Sequence, residues 1–180
     1  NEYIQSFLLN EVWRLWDRET QDFLLQTSIL NEFSIELAKI VTRMEGAGDI
    51  LGHIMTNKGF IMTLEGRERW YRCHHVFRDF LRQMLEKDTR FDIKELQRRA
   101  AGYYRDSMDI VRAISYYRAA EDCQGILEII ETDSPGLFWS IGAKEIIRMI
   151  DGMPEGAFDN LRVCVCYGWA LAFAESETKA

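Results

Sequence analysis

The chain has 180 residues, 22 of them basic and 29 acidic, for a formal charge of −7, and 47% are apolar. That length holds one large domain or two small ones, and the acidic balance argues against nucleic acid or an anionic membrane as the main binding surface. Two prolines, four cysteines without disulfide or zinc spacing, and no apolar run of membrane-spanning length point to a mostly helical protein of a reduced, cytoplasmic setting.

The spacing of Ile4, Phe7, Leu8, Val12 and Leu15 predicts a helix over Tyr3–Trp16. Two more are predicted over Glu19–Thr27 and Ser34–Arg43, the second with Ser34 as its N-cap. A fourth covers Asp49–Asn57 and ends at Gly59, a residue suited to a left-handed stop. Past Gly59 the period changes. Phe60–Leu64 and Arg69–Cys73 are short and rich in aromatic and β-branched residues, and Glu65-Gly66-Arg67-Glu68 separates them, so they predict a β-hairpin. Helical periodicity returns at His75, with Val76, Phe77, Phe80, Leu81, Met84 and Leu85 on one face. Three of these helices, a two-stranded wing and a trailing helix outline a winged-helix module over residues 1–90.

Residues 91–180 read as helices throughout. Counting from Lys94, Ala101, Tyr104, Ala113, Tyr117 and Ala120 fall where tetratricopeptide repeats place small, large, Ala, aromatic and Ala residues. Gln97 stands where that pattern has Trp, and Gly125 where it has Pro. Small residues let two antiparallel helices approach closely, and the tyrosines fill the space beside them. Shorter helices are expected over Gly125–Asp133, Pro135–Gly142 and Lys144–Ile150, with a break at Gly152-Met153-Pro154. Val163–Ala174 reads as a buried helix. Gly168 and Ala180 repeat the small-to-small spacing, which puts Ala180 where the second helix of a further repeat begins. The fold class is therefore mainly α: a winged-helix module with one β-hairpin, then an α-helical tetratricopeptide-like array, joined near Lys87–Asp92. The chain opens at Asn1 and stops at Lys179-Ala180, and it is expected to be a piece of a longer protein.

Cys73-His74-His75 is the most conspicuous cluster. Three consecutive positions cannot all point at one metal ion, and no second ligand pair sits at zinc spacing, so structural or interface roles are favoured. Cys164 and Cys166 lie two apart on a helix and point in roughly opposite directions, which makes small core residues the expected reading. Arg67, Arg69, Arg72, Arg78 and Arg82 gather around the wing and the helix after it. They form either a solvated face offset by Glu65, Glu68, Asp79 and Glu86, or a surface for an acidic partner or a phosphate. The helix that would enter a DNA groove, Asp49–Asn57, carries no Arg and meets a Lys only at its tail, Lys58, so it is a poor groove reader. Surface aromatics such as Phe138, Trp139 and Tyr116 either pack or line a groove. No phosphate loop, dinucleotide fingerprint, nucleophile elbow or zincin helix occurs, and no enzyme is expected within these residues.

Four stretches carry a family resemblance: RWYRCHHVFRDFLRQML (Arg69–Leu85), DFLLQTSIL (Asp22–Leu30), LGHIMTNKGFI (Leu51–Ile61) and LQRRAAGYY (Leu96–Tyr104). On these the chain resembles the large ATP-dependent LuxR-type transcriptional regulators of the STAND class, the MalT-like regulators, in order from Tyr3 to Ala180. The resemblance implies a nucleotide-binding domain upstream, a LuxR helix-turn-helix for DNA downstream, and here the winged helix with the start of a sensor domain. ATP or ADP would then bind in the full-length protein. The implied partners are that nucleotide-binding domain and, on the helical repeats, a small-molecule inducer or regulatory protein. Related STAND ATPases carry Met-His-Asp at the start of the last winged-helix helix, with the His reaching the nucleotide. In that register His74 is the candidate ADP-phosphate sensor, while His75 replaces the Asp. The alternative for His74 is a helix-entry residue packed at the wing.

Overall fold

The computed structural model describes residues 13–56, 60–66 and 68–177. The helix expected over Tyr3–Trp16 lies almost wholly outside them; its described end, Trp13–Leu15, is a single 3-10 turn. Gly59, Lys58 and Arg67 also lie outside. The chain forms two compact units, residues 1–103 and 104–180.

In the first unit, α1 (Arg18–Thr27) starts where the Asp17 carboxylate accepts the Thr20 N–H at 2.7 Å. It buries Phe23, Leu24 and Leu25. The short strand β1 (Phe33–Ser34) runs straight into α2 (Ile35–Thr42). Ser34 caps α2 as expected, its hydroxyl accepting the Leu37 N–H at 3.1 Å. Next come α3 (Ala47–Thr56), the wing strands β2 (Ile61–Thr63) and β3 (Trp70–Cys73), and α4 (His75–Lys87). The sheet order is β1-β3-β2, antiparallel throughout, with Phe33 opposite Tyr71 and Ile61 opposite Cys73.

The expected hairpin is present, and it has a third strand that sequence reading left out. An N-cap residue takes extended backbone, and Ser34 does so at φ −94° and ψ 167°. Capping α2 therefore lays Phe33 and Ser34 beside β3, although two residues are too few to show alternation. Phe33 is then buried between Phe23 and Tyr71, at centroid distances of 6.4 and 6.1 Å. Phe77, Phe80, Leu81 and Leu85 bring α4 into the same core. Each such side chain contributes about 1.5–3 kcal/mol by leaving water.

The connection at Lys87–Asp92 is a helix-to-helix turn. Asp92 closes it by accepting the Lys94 and Glu95 N–H groups at 2.9 and 3.2 Å, at the start of α5 (Ile93–Asp106). Midway along α5, Arg99 donates to the Val41 carbonyl at 2.9 Å.

The second unit continues with α6 (Ile110–Ala119), α7 (Cys123–Ile141), α8 (Ala143–Asp151), a 3-10 turn at Glu155–Asp159 and α9 (Leu161–Glu177). Ala101, Tyr104, Ala113, Tyr117 and Ala120, the residues that carry the repeat spacing, are all buried. Two expectations are corrected. The pair of short helices over Gly125–Asp133 and Pro135–Gly142 is one helix, α7. Its buried Ile126, Ile129, Ile130 and Leu137 hold one face in register past the proline position, and that packing outweighs an interior-proline penalty of ~3 kcal/mol. Nor is α9 buried all round. Val163, Cys166 and Ala170 are covered, while Leu161, Val165, Trp169, Leu171 and Phe173 are exposed.

Candidate functional site

The join of β3 and α4 holds the residues that stood out in the sequence. Cys73 pairs with Ile61 in the sheet and turns into the core, where burial pushes its thiol up to about 12 despite the nearby Arg78 and Arg82. His74 sits at the N-terminal boundary of α4. Its N–H donates to the Phe60 carbonyl at 2.8 Å, and its carbonyl accepts the Arg78 N–H at 2.9 Å. The backbone of His74 thus ends the sheet ladder and starts the helix at once. Its side chain does not cap α4. Instead the half-buried His74 ring lies against the exposed His75 ring, with centroids 4.5 Å apart and planes at 30°. Cys73 inside and the two imidazoles outside do not converge, which follows from strand alternation at Cys73 and the turn into helix at His74.

The arginines divide by role. Arg72 is exposed on the wing, and Arg69 takes the left-handed backbone at φ 63° in the turn before β3. Arg82 belongs to the fold. Its Nε donates to the Ser28 carbonyl at 2.8 Å and its Nη2 to the Ile29 carbonyl at 3.2 Å. Those carbonyls follow the last turn of α1, where helix geometry leaves acceptors without intrahelical donors. Arg78 reaches Asn31 Oδ1 at 3.2 Å through Nη1, while its Nε is buried without a hydrogen-bond partner. The sequence grouped these side chains as one cluster, but helix geometry turns Arg78 and Arg82, four residues apart, toward the same inner edge.

The face of α3 that a groove-reading winged helix would present carries Asp49, Gly52, His53, Met55 and Thr56, all exposed. Among the described residues of α3 there is no Arg, Lys, Asn or Gln to pair with a base edge. No group of three or more His, Cys, Asp or Glu side chains placed to hold a metal occurs among the described residues.

In the second unit, Tyr116 is half-buried and stacks on Tyr104, with centroids 5.4 Å apart and planes at 9°. Phe138 lies against Trp169 and Phe173 at 6.3 and 5.6 Å, and Trp139 is 92% exposed. Cys164 is exposed and Cys166 buried, so they do point apart, but only Cys166 is a core residue. Sequence reading missed a cleft between α6, the end of α7 and the start of α8. Its lining residues come from three separate helices and share no motif.

Fold and site together define a class: a three-stranded winged helix whose would-be recognition helix carries no Arg, Lys, Asn or Gln among its described residues, attached to a helical array. Comparison with known proteins agrees. Residues 9–92 match the family model of the MalT winged helix domain. The similarity to MalT extends beyond that domain. It is 30% identical over 128 residues to the HTH-type transcriptional regulator MalT of Vibrio parahaemolyticus, which covers 71% of this chain and 14% of the relative. Against MalT of Vibrio cholerae it is 25% identical over 169 residues, 93% of this chain and 19% of the relative. It is also similar, at 23% over 171 residues, to the serine/threonine-protein kinase PknK of Mycobacterium tuberculosis, covering 94% of this chain and 15% of that kinase. The chain thus spans less than a fifth of the length of these relatives.

Proposed function

We propose that this chain is the relay and sensing portion of a cytoplasmic LuxR-type transcriptional regulator. Residues 1–90 would serve as the winged-helix relay and residues 91–180 as the start of a tetratricopeptide-like sensor. On this reading DNA is bound by a domain elsewhere in the full-length protein, and ATP or ADP by another. An inducer or regulatory protein engages the helical array, and the regulator shifts between a closed ADP form and an open ATP form.

The observation that carries the reading is the double engagement of His74. Its N–H is locked into the sheet and its carbonyl into α4, while its imidazole is left outside the core. A ligand that holds this ring bears on a residue whose backbone belongs to both the sheet and α4, and Arg82 ties α4 to the end of α1. An imidazole so placed can donate to a phosphate oxygen in its neutral or charged form. That chemistry fits a nucleotide held by a neighbouring domain. A relay role also suits the relatives, because stretches similar to this one occur in proteins named as a transcriptional regulator and as a protein kinase. Outputs that different share a relay more readily than an effector.

In the full-length protein, His74→Ala should lower ADP retention through gel filtration and raise inducer-independent transcription, while His74→Gln, which keeps an N–H donor, should stay closer to wild type. Unchanged retention and unchanged basal activity in His74→Ala would remove His74 from the nucleotide site.

A further inference from the structure

The cleft of the second unit has a volume of about 440 Å³ and three kinds of wall. Val111 and Ile114 of α6 and Ile141 of α7 are apolar; Ser115 and Ser140 offer hydroxyls; Arg118 and Glu145 bring charge. The charges do not cancel locally. Glu145 Oε1 takes Arg118 Nη1 at 3.1 Å and Oε2 takes Arg148 Nη1 at 3.2 Å. Arg118 Nη2 also donates to the Arg148 carbonyl at 3.2 Å, which fixes its guanidinium at the cleft. Two guanidiniums share one carboxylate, so Glu145 does not fully neutralise Arg118 at the cleft; the three side chains together carry one net positive charge, with Arg148 itself exposed and outside the cleft lining. Such a surface disfavours cations and gives a lone anion both a counter-charge and hydrogen bonds.

We propose that this cleft binds a small monocarboxylate with an aliphatic body. Its carboxylate lies against Arg118 and the serine hydroxyls, and its hydrocarbon on Ile114, Ile141 and Val111. The assignment rests on reading the helical array as the signal-receiving part of the protein, and names the chemical class of the signal.

The test is calorimetric titration of the 180-residue chain with 4-methylvalerate, its neutral analogue 4-methylpentanol, and acetate. Saturable binding of 4-methylvalerate is expected, with the alcohol and acetate each at least tenfold weaker. Arg118→Gln should weaken the acid at least tenfold. Glu145→Gln frees both guanidiniums and should tighten it, a gain that a misfolded variant cannot produce. No saturable binding of the acid, equal binding of acid and alcohol, or weaker binding in Glu145→Gln would each overturn the proposal. The outcome is separate from the nucleotide reading: binding here with no effect of His74→Ala refutes only the relay, and the reverse refutes only the cleft.

Discussion

Replacing Gly125 with alanine should destabilise the second unit, although the same change in most helices stabilises. Gly125 lies in the first turn of α7, where its N–H donates to the Asp122 carboxylate at 3.0 Å. A Cβ built there would stand 2.3 Å from Tyr117 Cε1, 2.4 Å from Cδ1 and 2.8 Å from Cζ. Those atoms are the body of a ring only 6% exposed, so the ring cannot simply swing into solvent. Helix propensity favours alanine over glycine by about 1 kcal/mol, and overpacking a fitted core costs about 1–3 kcal/mol. An overlap this deep belongs at the upper end of that range, which leaves a net loss of about 1–2 kcal/mol. Urea unfolding followed by circular dichroism measures it. Tyr117→Leu supplies the second edge of a double-mutant cycle, because removing the ring removes the obstacle. In that background Gly125→Ala should be neutral or stabilising, giving a coupling of about 1–3 kcal/mol. A single Gly125→Ala variant as stable as wild type would refute the claim that the Tyr117 ring sets the identity of residue 125.

Four further outcomes follow from packing and burial elsewhere in the chain. Arg82→Met keeps the aliphatic stem but leaves the Ser28 and Ile29 carbonyls without their charged donor, and should cost about 1.5–3 kcal/mol in urea unfolding, whereas exposed Arg72→Met should stay within about 0.5 kcal/mol. With a thiol raised to about 12, Cys73 should resist iodoacetamide at pH 8 while exposed Cys164 reacts. A folded pKa above the ordinary ~8.5 also means that the stabilisation from burying this thiol is complete below that pH and lost as pH climbs toward 12, so Cys73→Ala should lose less stability than wild type over that alkaline range. Val165→Gln with Trp169→Gln should lower the stability measured by urea unfolding by no more than about 1 kcal/mol, since both side chains are about half exposed or more.

The winged helix was legible because its signals are local. Ser34 before an apolar helical stripe, the change from period four to period two at Phe60, and the return at His75 each follow from backbone geometry. The strand Phe33–Ser34 was not, because its pairing with Trp70 and Tyr71 spans more sequence than any pattern of two residues can encode. The same limit applies to the site. That Cys73 turns in is readable from strand alternation, but which arginines face the core depends on where the end of α1 comes to rest. Arg82 becomes a helix clamp only because the Ser28 and Ile29 carbonyls arrive within 3.2 Å of it. The cleft at Arg118 and Glu145 lies further out of reach, since its charge excess arises from a third residue, Arg148, one turn along α8.

Composition alone misread α9, and the reason bears on the array. Hydrophobic content across Val163–Ala174 predicted burial on every side, yet only the stripe of Val163, Cys166 and Ala170 is covered. Positions four apart repeat the same direction on a helix. The uncovered side therefore places Cys164, Gly168 and Ala172 in a row, with Leu161, Val165 and Leu171 beside it, all exposed. A Cβ on Gly168 would meet no atom within 4 Å, in contrast to Gly125, whose missing side chain is filled by the Tyr117 ring. The small residues that carry the repeat spacing, Ala101 in α5, Ala113 in α6 and Ala120 at the end of α6, are each at most 1% exposed. The same kind of residue thus marks a covered position in one part of the array and an open one at α9. Repeat spacing in a sequence reports where a helix is built to accept a neighbour; whether the neighbour is there is a property of the structure alone.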